Sequence, residues 1–226
     1  MWHSVRDNFV SFIKVTEGRT NYMYCDKKGY VTTGMGTLLM DVNAARKLQW
    51  YIKGTRTAAS PKEIEESFNK VKIRYKDLKE KGEKLTDASL YKSTTNIRLA
   101  QEGIDQATIK KLDGFDLLWK ASLPQWDSFP ADAQLALLSI AWAMGVPATI
   151  RQRMKALYEA VTSRDFTKAA EESHFKGTSS KREWKNQAYE FMFLNAAAQD
   201  KFDKEILKID ISDSKLPIVF IRLVHK

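Results

Sequence analysis

The chain has 226 residues, of which 37 are Lys or Arg and 28 are Asp or Glu, so its formal charge is +9 at pH 7. This length provides one large domain or two lobes that share an interface, and the 43% apolar residues are sufficient for a core. The positive charge indicates an anionic partner, such as nucleic acid, an acidic membrane surface or a cell-wall polymer, although a basic protein without such a partner has the same balance.

Cysteine and histidine are too sparse for a disulfide framework or a common zinc site. Cys25 is the one cysteine of the sequence, and we expect it to be a passive small residue. The three histidines, His3, His174 and His225, lie far apart in the sequence. We therefore expect no metal and no cofactor.

Neither a signal peptide nor a transmembrane helix is predicted. The first residues, MWHSVRDNFVSFIK, lack a basic region followed by an uninterrupted apolar run. The longest apolar stretch, residues 216–224, is too short to span a bilayer and contains Arg222. We expect a soluble monomer without a membrane partner, which needs a separate delivery route if its target lies outside the cytoplasm.

The first elements in chain order are a helix and a hairpin. Apolar residues recur at helical spacing from Trp2 to Val15, and Gly18 is a typical helix stop. Alternating tyrosines, a DKKG turn and the segment from Tyr30 to Thr33 then predict a β-hairpin.

Helices are predicted over most of the remaining chain. Residues 43–54 indicate a helix that ends at Gly54, and Ser60-Pro61-Lys62-Glu63 is a start signal for a long helix. Residues 79–122 are polar and mostly helical in character, with weak boundaries at three glycines, and 132–145 indicate a buried helix. Further helices are predicted at 150–161, 165–173 and 181–199, and a late hairpin from Lys204.

Residues 16–36, TEGRTNYMYCDKKGYVTTGMG, place two carboxylates at the ends of a helix-to-hairpin corner. The corner resembles the catalytic corner of the phage-type lysozymes, through Glu17-Gly18, Tyr24-x-Asp26, Gly29, Thr32, Gly34-x-Gly36 and Leu38-Leu39. Residues 43–54, 60–69, 123–145 and 154–182 are similar to later segments of that family in the same order. The resemblance covers roughly 5–78 and 115–195, which leaves an insertion at about 80–110 and a tail past 200.

The resemblance implies an α+β, mainly α, lysozyme-like two-lobe fold, with a small antiparallel hairpin or sheet in the N-terminal lobe and a helical C-terminal lobe. We expect a single domain over 1–226. Its parts would be an N-terminal lobe at about 15–60, a linking helix at about 61–80, a helical lobe of 1–14 and 81–200, and an extension at 201–226.

The resemblance implies that Glu17, Asp26 and Thr32 are catalytic. Hydrolysis of a glycosidic bond needs an acid at the leaving oxygen and, for an inverting enzyme, a base that activates water. Glu17 faces the negative end of a helix dipole, which favours its protonated form, whereas Asp26 beside a polar turn should stay ionised. Taken alone, Glu17 is typical of a solvated helix end, Asp26 of a turn residue that caps its own backbone, and Thr32 of a strand residue. The resembled family inverts, but the outcome depends on the separation of the carboxylates.

The resemblance also implies a set of substrate-binding residues: Tyr24, Leu38, Trp142, Met144, Phe175 and Arg182. Arg182 is either a cleft residue near Glu17 or a surface arginine, and Trp142 is either a sugar contact or a core residue. Thr37 replaces a structural histidine of the family, which puts a stabilising ion pair in doubt. Ala143 replaces a glutamine, which indicates altered contacts to the sugar.

These features predict a muramidase that cleaves the β-1,4 bond between N-acetylmuramic acid and N-acetylglucosamine in peptidoglycan. Chitin or chitosan is an alternative substrate, and a non-catalytic module that binds nucleic acid or cell wall is an alternative of another class. We expect peptidoglycan rather than nucleic acid as partner. The protein would act on the periplasmic wall, as an endolysin released by a holin or as a secreted effector with a cognate immunity protein. Whether the chain is a fragment stays open.

Overall fold

Helices alternate with short strands in the first half of the chain, and helices alone follow in the second half. The computed structural model describes residues 1–85, 87–177 and 180–200. The helices are α1 (His3–Glu17), α2 (Val42–Arg46), α3 (Pro61–Glu80), α4 (Gln101–Ser122), α5 (Ala131–Met144), α6 (Pro147–Arg153), α7 (Lys155–Thr162), α8 (Phe166–Glu172) and α9 (Ser180–Gln199). The strands are β1 (Thr20–Cys25), β2 (Val31–Gly34), β3 (Thr37–Leu38), β4 (Trp50–Ile52) and β5 (Ile97–Leu99). The predicted α+β, mainly α class is confirmed.

Two compact units divide the chain. The strand-containing unit comprises residues 17–110, and the helical unit comprises, of the described residues, 1–16, 111–177 and 180–200. The predicted lobes differ from this division, because they place 81–110 in the helical lobe. The predicted extension at 201–226, including the late hairpin, lies outside the described residues, and the single lysozyme-like domain stays a prediction.

The predicted hairpin is the centre of the strand-containing unit. Strands β1, β2 and β3 form an antiparallel sheet in that order, in which Tyr24 pairs with Thr32, and Thr32 pairs with Leu38. Because partners directly opposite in a sheet share a face, these three side chains form one cross-strand row. We call it the Tyr24–Thr32–Leu38 row.

The helix predicted over 43–54 is mostly wrong. Helix α2 ends at Arg46, and residues 50–52 form strand β4, which pairs antiparallel with β5. The partner strand comes from the 80–110 insertion, so no local pattern reveals it. The sequence Trp-Tyr-Ile has the aromatic and β-branched residues that suit a strand once a partner is present.

Helix α3 begins as its start signal predicts. The Ser60 hydroxyl accepts a hydrogen bond from the amide of Glu63, and the Glu63 carboxylate accepts one from the amide of Ser60. This reciprocal cap satisfies two amides that the helix leaves unpaired. The buried side of α3 packs against β1 and β2, through Ile64, Phe68, Val71 and Leu78.

The helical unit is organised around α5. Every residue of α5 from Ala131 to Trp142 is buried, as its apolar sequence predicts, and α9 packs along it. Two predicted boundaries are wrong, because Gly103 and Gly114 lie inside α4. The predicted helix 150–161 is instead divided into α6 and α7 at Met154, whose φ of −128° and ψ of 57° are not helical.

No single helix of the described ranges is long and apolar enough to cross a membrane, although α5 and α6, bent by 84°, reach that length together.

Candidate active site

Glu17 is the last residue of α1. The helix ends there because Gly18 adopts φ +80°, a left-handed conformation that closes helices and that glycine adopts without strain. The Glu17 side chain is half-buried. A carboxyl group at this position is partly shielded from water, which suits the predicted acid.

Strand β1 runs from the end of α1 towards the turn that contains Asp26. Met23 and Cys25 are buried, whereas Tyr22, Tyr24 and Asp26 are half-buried. This alternation assigns the two tyrosines to one face of the strand. The outer face of β1 therefore leads from Tyr22 through Tyr24 to the turn.

The backbone of the turn anchors the Asp26 carboxylate. Its Oδ1 atom accepts hydrogen bonds from the amides of Lys28 at 2.8 Å and Tyr30 at 2.9 Å. The predicted role as a turn residue that caps its own backbone is therefore present. Within the described part of the chain both hydrogen bonds of this side chain go to Oδ1, so Oδ2 is available for another donor.

Helix α3 holds this turn in place. The Tyr75 hydroxyl donates a hydrogen bond of 3.2 Å to the carbonyl of Lys27. Gly29 has φ +83°, and a Cβ atom there would lie 2.8 Å from the Tyr75 ring. Glycine is thus required for two reasons, the conformation and the close approach of the ring.

Tyr24 connects the two carboxylates electrostatically. Burial, and after it the negative charges of Glu17 and Asp26, together raise the pKa of Tyr24 to about 12. Both carboxylates therefore belong to the electrostatic surroundings of this phenol.

The remaining members of the Tyr24–Thr32–Leu38 row complete this cluster. Thr32 is 6% exposed, and its hydroxyl donates a hydrogen bond of 3.2 Å to the carbonyl of Tyr30. Leu38 is 44% exposed, so it offers apolar surface beside the threonine. Thr37, where the resembled family has a histidine, has a buried hydroxyl without a hydrogen bond to any described residue.

Trp142 lies in the interior of the helical unit, at the end of α5. It is 7% exposed, and its ring centroid lies 5.5 Å from that of Phe9 and 6.2 Å from that of Phe115. The Lys111 ammonium lies 3.7 Å from the centroid of the Trp142 ring, within the range of a cation–π contact. These contacts agree with the interpretation of Trp142 as a core residue. Sugar contacts of Trp142 and of the half-buried Met144 stay predictions.

Phe175 and Arg182 are tied to the first half of α9. The Asn186 side chain accepts a hydrogen bond from the amide of Phe175 at 2.8 Å and donates one to its carbonyl at 2.9 Å. The Phe175 ring packs edge-on against Tyr189 with centroids 5.7 Å apart. Arg182 is exposed and donates to the carbonyl of Lys176 at 2.6 Å. Asn186 is a positioning residue that the sequence did not indicate.

Metal chemistry has no obvious ligands here. In the described ranges no three His, Cys, Asp or Glu side chains cluster in a way that could hold an ion.

Comparison with known proteins adds no independent assignment. A scan of the chain against protein-family models gave no match, and a search of the curated proteins gave none either. The resemblance to phage-type lysozymes therefore rests on the motif in residues 16–39 and on the later similar segments, and it stays a prediction.

Proposed function

We propose that the chain is a peptidoglycan hydrolase of the muramidase type, which cleaves the β-1,4 bond between N-acetylmuramic acid and N-acetylglucosamine. The observation that carries the proposal is that β1 leads from Glu17, the last residue of α1, through Tyr24 to Asp26 in the following turn, and that Thr32 pairs with Tyr24 in the sheet. The charges of Glu17 and Asp26, which both raise the pKa of Tyr24, support the proposal. Two carboxyl groups around one site are the minimal equipment for glycoside hydrolysis.

The positions of the two carboxyl groups support a division of roles. Glu17 is half-buried at the end of α1, and we assign it as the proton donor to the leaving oxygen. Asp26 is held as an acceptor by two amides at Oδ1, which leaves Oδ2 to accept a proton from water. We assign the Thr32 hydroxyl to orient that water.

The formal charge of +9 suits an anionic substrate. Acidic groups of a bacterial wall would concentrate a basic protein at its surface by long-range attraction. The same reasoning applies to an endolysin and to a secreted effector, and both would act on the wall from the periplasmic side.

The decisive experiment is mass spectrometry of purified peptidoglycan digested by the wild-type protein and by Glu17→Gln. We expect muropeptides with new reducing N-acetylmuramic acid ends from the wild type alone. New reducing N-acetylglucosamine ends would assign a different bond. Release of sugars from chitin or chitosan, without action on peptidoglycan, would mean that chitin or chitosan is the substrate. No new ends from any of these polymers would leave a binding module as the better description.

The stereochemistry of the first product tests the role of Asp26. If Asp26 activates a water on the face opposite the leaving group, the released reducing end has the inverted, α configuration. Proton NMR recorded before mutarotation distinguishes the two anomers. A first product with the β configuration would contradict the base role and favour a nucleophile or a substrate-assisted mechanism.

A further inference from the structure

A small pocket lies beside the two-stranded sheet of β4 and β5, in the strand-containing unit. The turn after β4 contributes Gly54, Thr55 and Arg56 to its lining, and the two strands contribute Tyr51 and Arg98. We call it the turn pocket. Its volume is about 290 Å³, near the lower limit of about 300 Å³ for pockets that enclose a small molecule. The turn pocket therefore suits one small chemical group rather than a whole large ligand.

Strand pairing assigns Arg98 to the outer face of this sheet. Arg98 is the cross-strand partner of Tyr51, and both are half-buried, whereas their neighbours Leu99 and Trp50 are buried. Partners directly opposite in a sheet share a face. Three of the five N–H bonds of the Arg98 guanidinium donate to backbone carbonyls at 2.6–2.8 Å. The other two have no partner among the described residues.

The turn adds donors that its own fold does not use. The amide of Thr55 donates to the carbonyl of Ile52 at 3.0 Å, and the amide of Thr57 donates to Thr55 Oγ1 at 3.1 Å. The amides of Gly54 and Arg56 donate to no residue that the structure describes. Neighbouring turn amides of this kind are common ligands of anions in proteins. The exposed guanidinium of Arg56 adds further N–H donors at the same turn.

No carboxylate pairs with the two arginines within the described ranges. The lining contains no Asp or Glu there, and the arginine ion pairs of these ranges involve four other arginines. Burial lowers the pKa of Arg98, and the single charge that opposes this effect belongs to the Tyr22 phenol, not to a carboxylate.

The local charge stays positive when the nearest acid in the sequence is included. Glu102, in the first turn of α4, follows the lining residue Ala100 by two positions and does not line the turn pocket. Counted in full, its charge would balance one of the three positive charges of Lys53, Arg56 and Arg98. Two positive charges therefore remain for a ligand.

We propose that the turn pocket binds a phosphate monoester, either of a soluble molecule or of an anionic lipid headgroup. A phosphate monoester has three free oxygens and about −1.5 to −2 charges at pH 7. These match two arginines together with the two amides of the turn. A carboxylate has one charge and two oxygens, so it would leave donors without acceptors. The proposal is independent of the muramidase proposal, because no lining residue is a predicted catalytic or substrate-binding residue.

The first experiment measures binding of glycerol 3-phosphate by NMR at constant ionic strength. It uses the isotope-labelled full chain as wild type, Arg56→Gln and Lys70→Gln. Both substitutions remove one positive charge from an exposed side chain of the strand-containing unit, but Lys70 lies on α3 and does not line the turn pocket. We expect shifts at the amides of Gly54 and Arg56 and at Nε of Arg98. Affinity should be about fivefold weaker for Arg56→Gln and should change less than about twofold for Lys70→Gln.

Two further anions test the selectivity for a monoester. Dimethyl phosphate and acetate each carry one charge, so both should bind the wild type about fivefold more weakly than glycerol 3-phosphate does. Acetate or dimethyl phosphate that binds as tightly as glycerol 3-phosphate would overturn the assignment of the ligand.

Sedimentation with phosphatidate vesicles distinguishes the two sources of the monoester. Vesicle binding that Arg56→Gln weakens and that glycerol 3-phosphate displaces would assign the lipid headgroup. Absence of such binding, together with the NMR shifts, would assign a soluble phosphate ester.

Three results would overturn the proposal itself. The first is the absence of shifts at the turn with glycerol 3-phosphate, and the second is equal affinity of the wild type and Arg56→Gln. The third is a single-stranded oligonucleotide that shifts the same amides and binds more tightly than glycerol 3-phosphate, since the turn would then belong to a nucleic-acid surface.

Discussion

The two units of this protein reach their structures by different routes. The helical unit is built around α5, whose residues from Ala131 to Trp142 are all buried, so its stability comes mainly from apolar packing. The strand-containing unit has strands of two to six residues, and β4 finds its partner in β5, at residues 97–99. Its shape depends on turns, caps and distant pairing rather than on one apolar helix.

This difference explains where the candidate chemistry lies. A helix that is buried on all sides has little room for polar groups that must meet solvent and substrate. A sheet edge with turns offers half-buried positions, where Glu17 and Asp26 are partly shielded and their charges raise the pKa of Tyr24. We therefore expect substitutions in the strand-containing unit to affect activity or conformation, and those in α5 to affect stability.

The largest effect is expected for Glu17→Gln. Glutamine keeps the shape of the side chain but donates no proton to a leaving group, so wall lysis should fall by ~10²–10⁴-fold. The melting temperature should be unchanged or slightly higher. Turbidity loss of a wall suspension and thermal unfolding measure the two quantities.

The control for this substitution is Glu66→Gln on α3, an exposed glutamate of the same unit, which should lyse walls as the wild type does. Retention of a tenth of wild-type activity by Glu17→Gln would contradict the acid role.

The core of the helical unit should give the largest loss of stability. Leu138 on α5 is fully buried, so Leu138→Ala should lower the free energy of unfolding by about 2–5 kcal/mol through lost contacts and a cavity. Leu118 on α4 is 41% exposed, and Leu118→Ala should change the free energy of unfolding by less than about 0.5 kcal/mol. Urea denaturation measures both. Equal losses would mean that α5 is not the centre of the unit.

Alanine substitutions at two glycines, one in each unit, compare the backbones of the two units. Gly34 has φ +63°, and an added Cβ would lie 3.3 Å from Ile104 Cγ2, so Gly34→Ala should cost about 1–3 kcal/mol. Gly114 lies inside α4 with no atom within 4 Å of an added Cβ. Gly114→Ala should therefore stabilise by about 0.5–1 kcal/mol, because alanine favours a helix.

Thermal and urea unfolding of both glycine variants provide the measurement. Gly34→Ala at wild-type stability would show that the corner after β2 tolerates another conformation.

A further effect on stability is expected at alkaline pH. Burial raises the pKa values of Tyr24, Cys25 and Tyr91 in the strand-containing unit to about 12. The unfolded chain loses these protons at about pH 8.5–10, whereas the folded chain keeps them until about pH 12. Their contribution to the free energy of unfolding is fully present below the pKa values of the unfolded chain. It is lost as the pH rises towards 12.

Tyr24→Phe isolates one of these groups. Between pH 9 and pH 11.5 the free energy of unfolding should fall by about 1–2 kcal/mol more in the wild type than in Tyr24→Phe. Urea denaturation at a series of pH values measures the difference. Parallel curves for the two proteins would show that the phenol is not desolvated.

Some elements were predictable because their signals are local. The end of α1 at Gly18 and the cap of α3 at Ser60 use interactions within four residues, and the buried α5 follows from its apolar sequence. The joint spacing of Glu17 and Asp26 likewise indicated a candidate site. In each case the residues that decide the outcome are neighbours in the chain.

Other features could not be predicted from neighbouring residues. The segment 50–52 has helical surroundings in the sequence but pairs with 97–99, since a strand is stabilised by hydrogen bonds to a distant partner. Gly103 and Gly114 do not interrupt α4, where helical context outweighs a cost of about 1 kcal/mol per glycine. The packing of the insertion against β1 joins distant segments, and the sequence has no signal for it.

The sequence by itself determined the end of α1, the start of α3, the hairpin, the buried central helix and the set of carboxyl and hydroxyl groups at the corner, because hydrogen bonds and apolar periodicity act over a few residues. Only the tertiary structure decided that β4 pairs with β5 and that Trp142 packs against Phe9. Such contacts join residues far apart in the chain, and their energy depends on burial and distance, which are set when the whole chain folds.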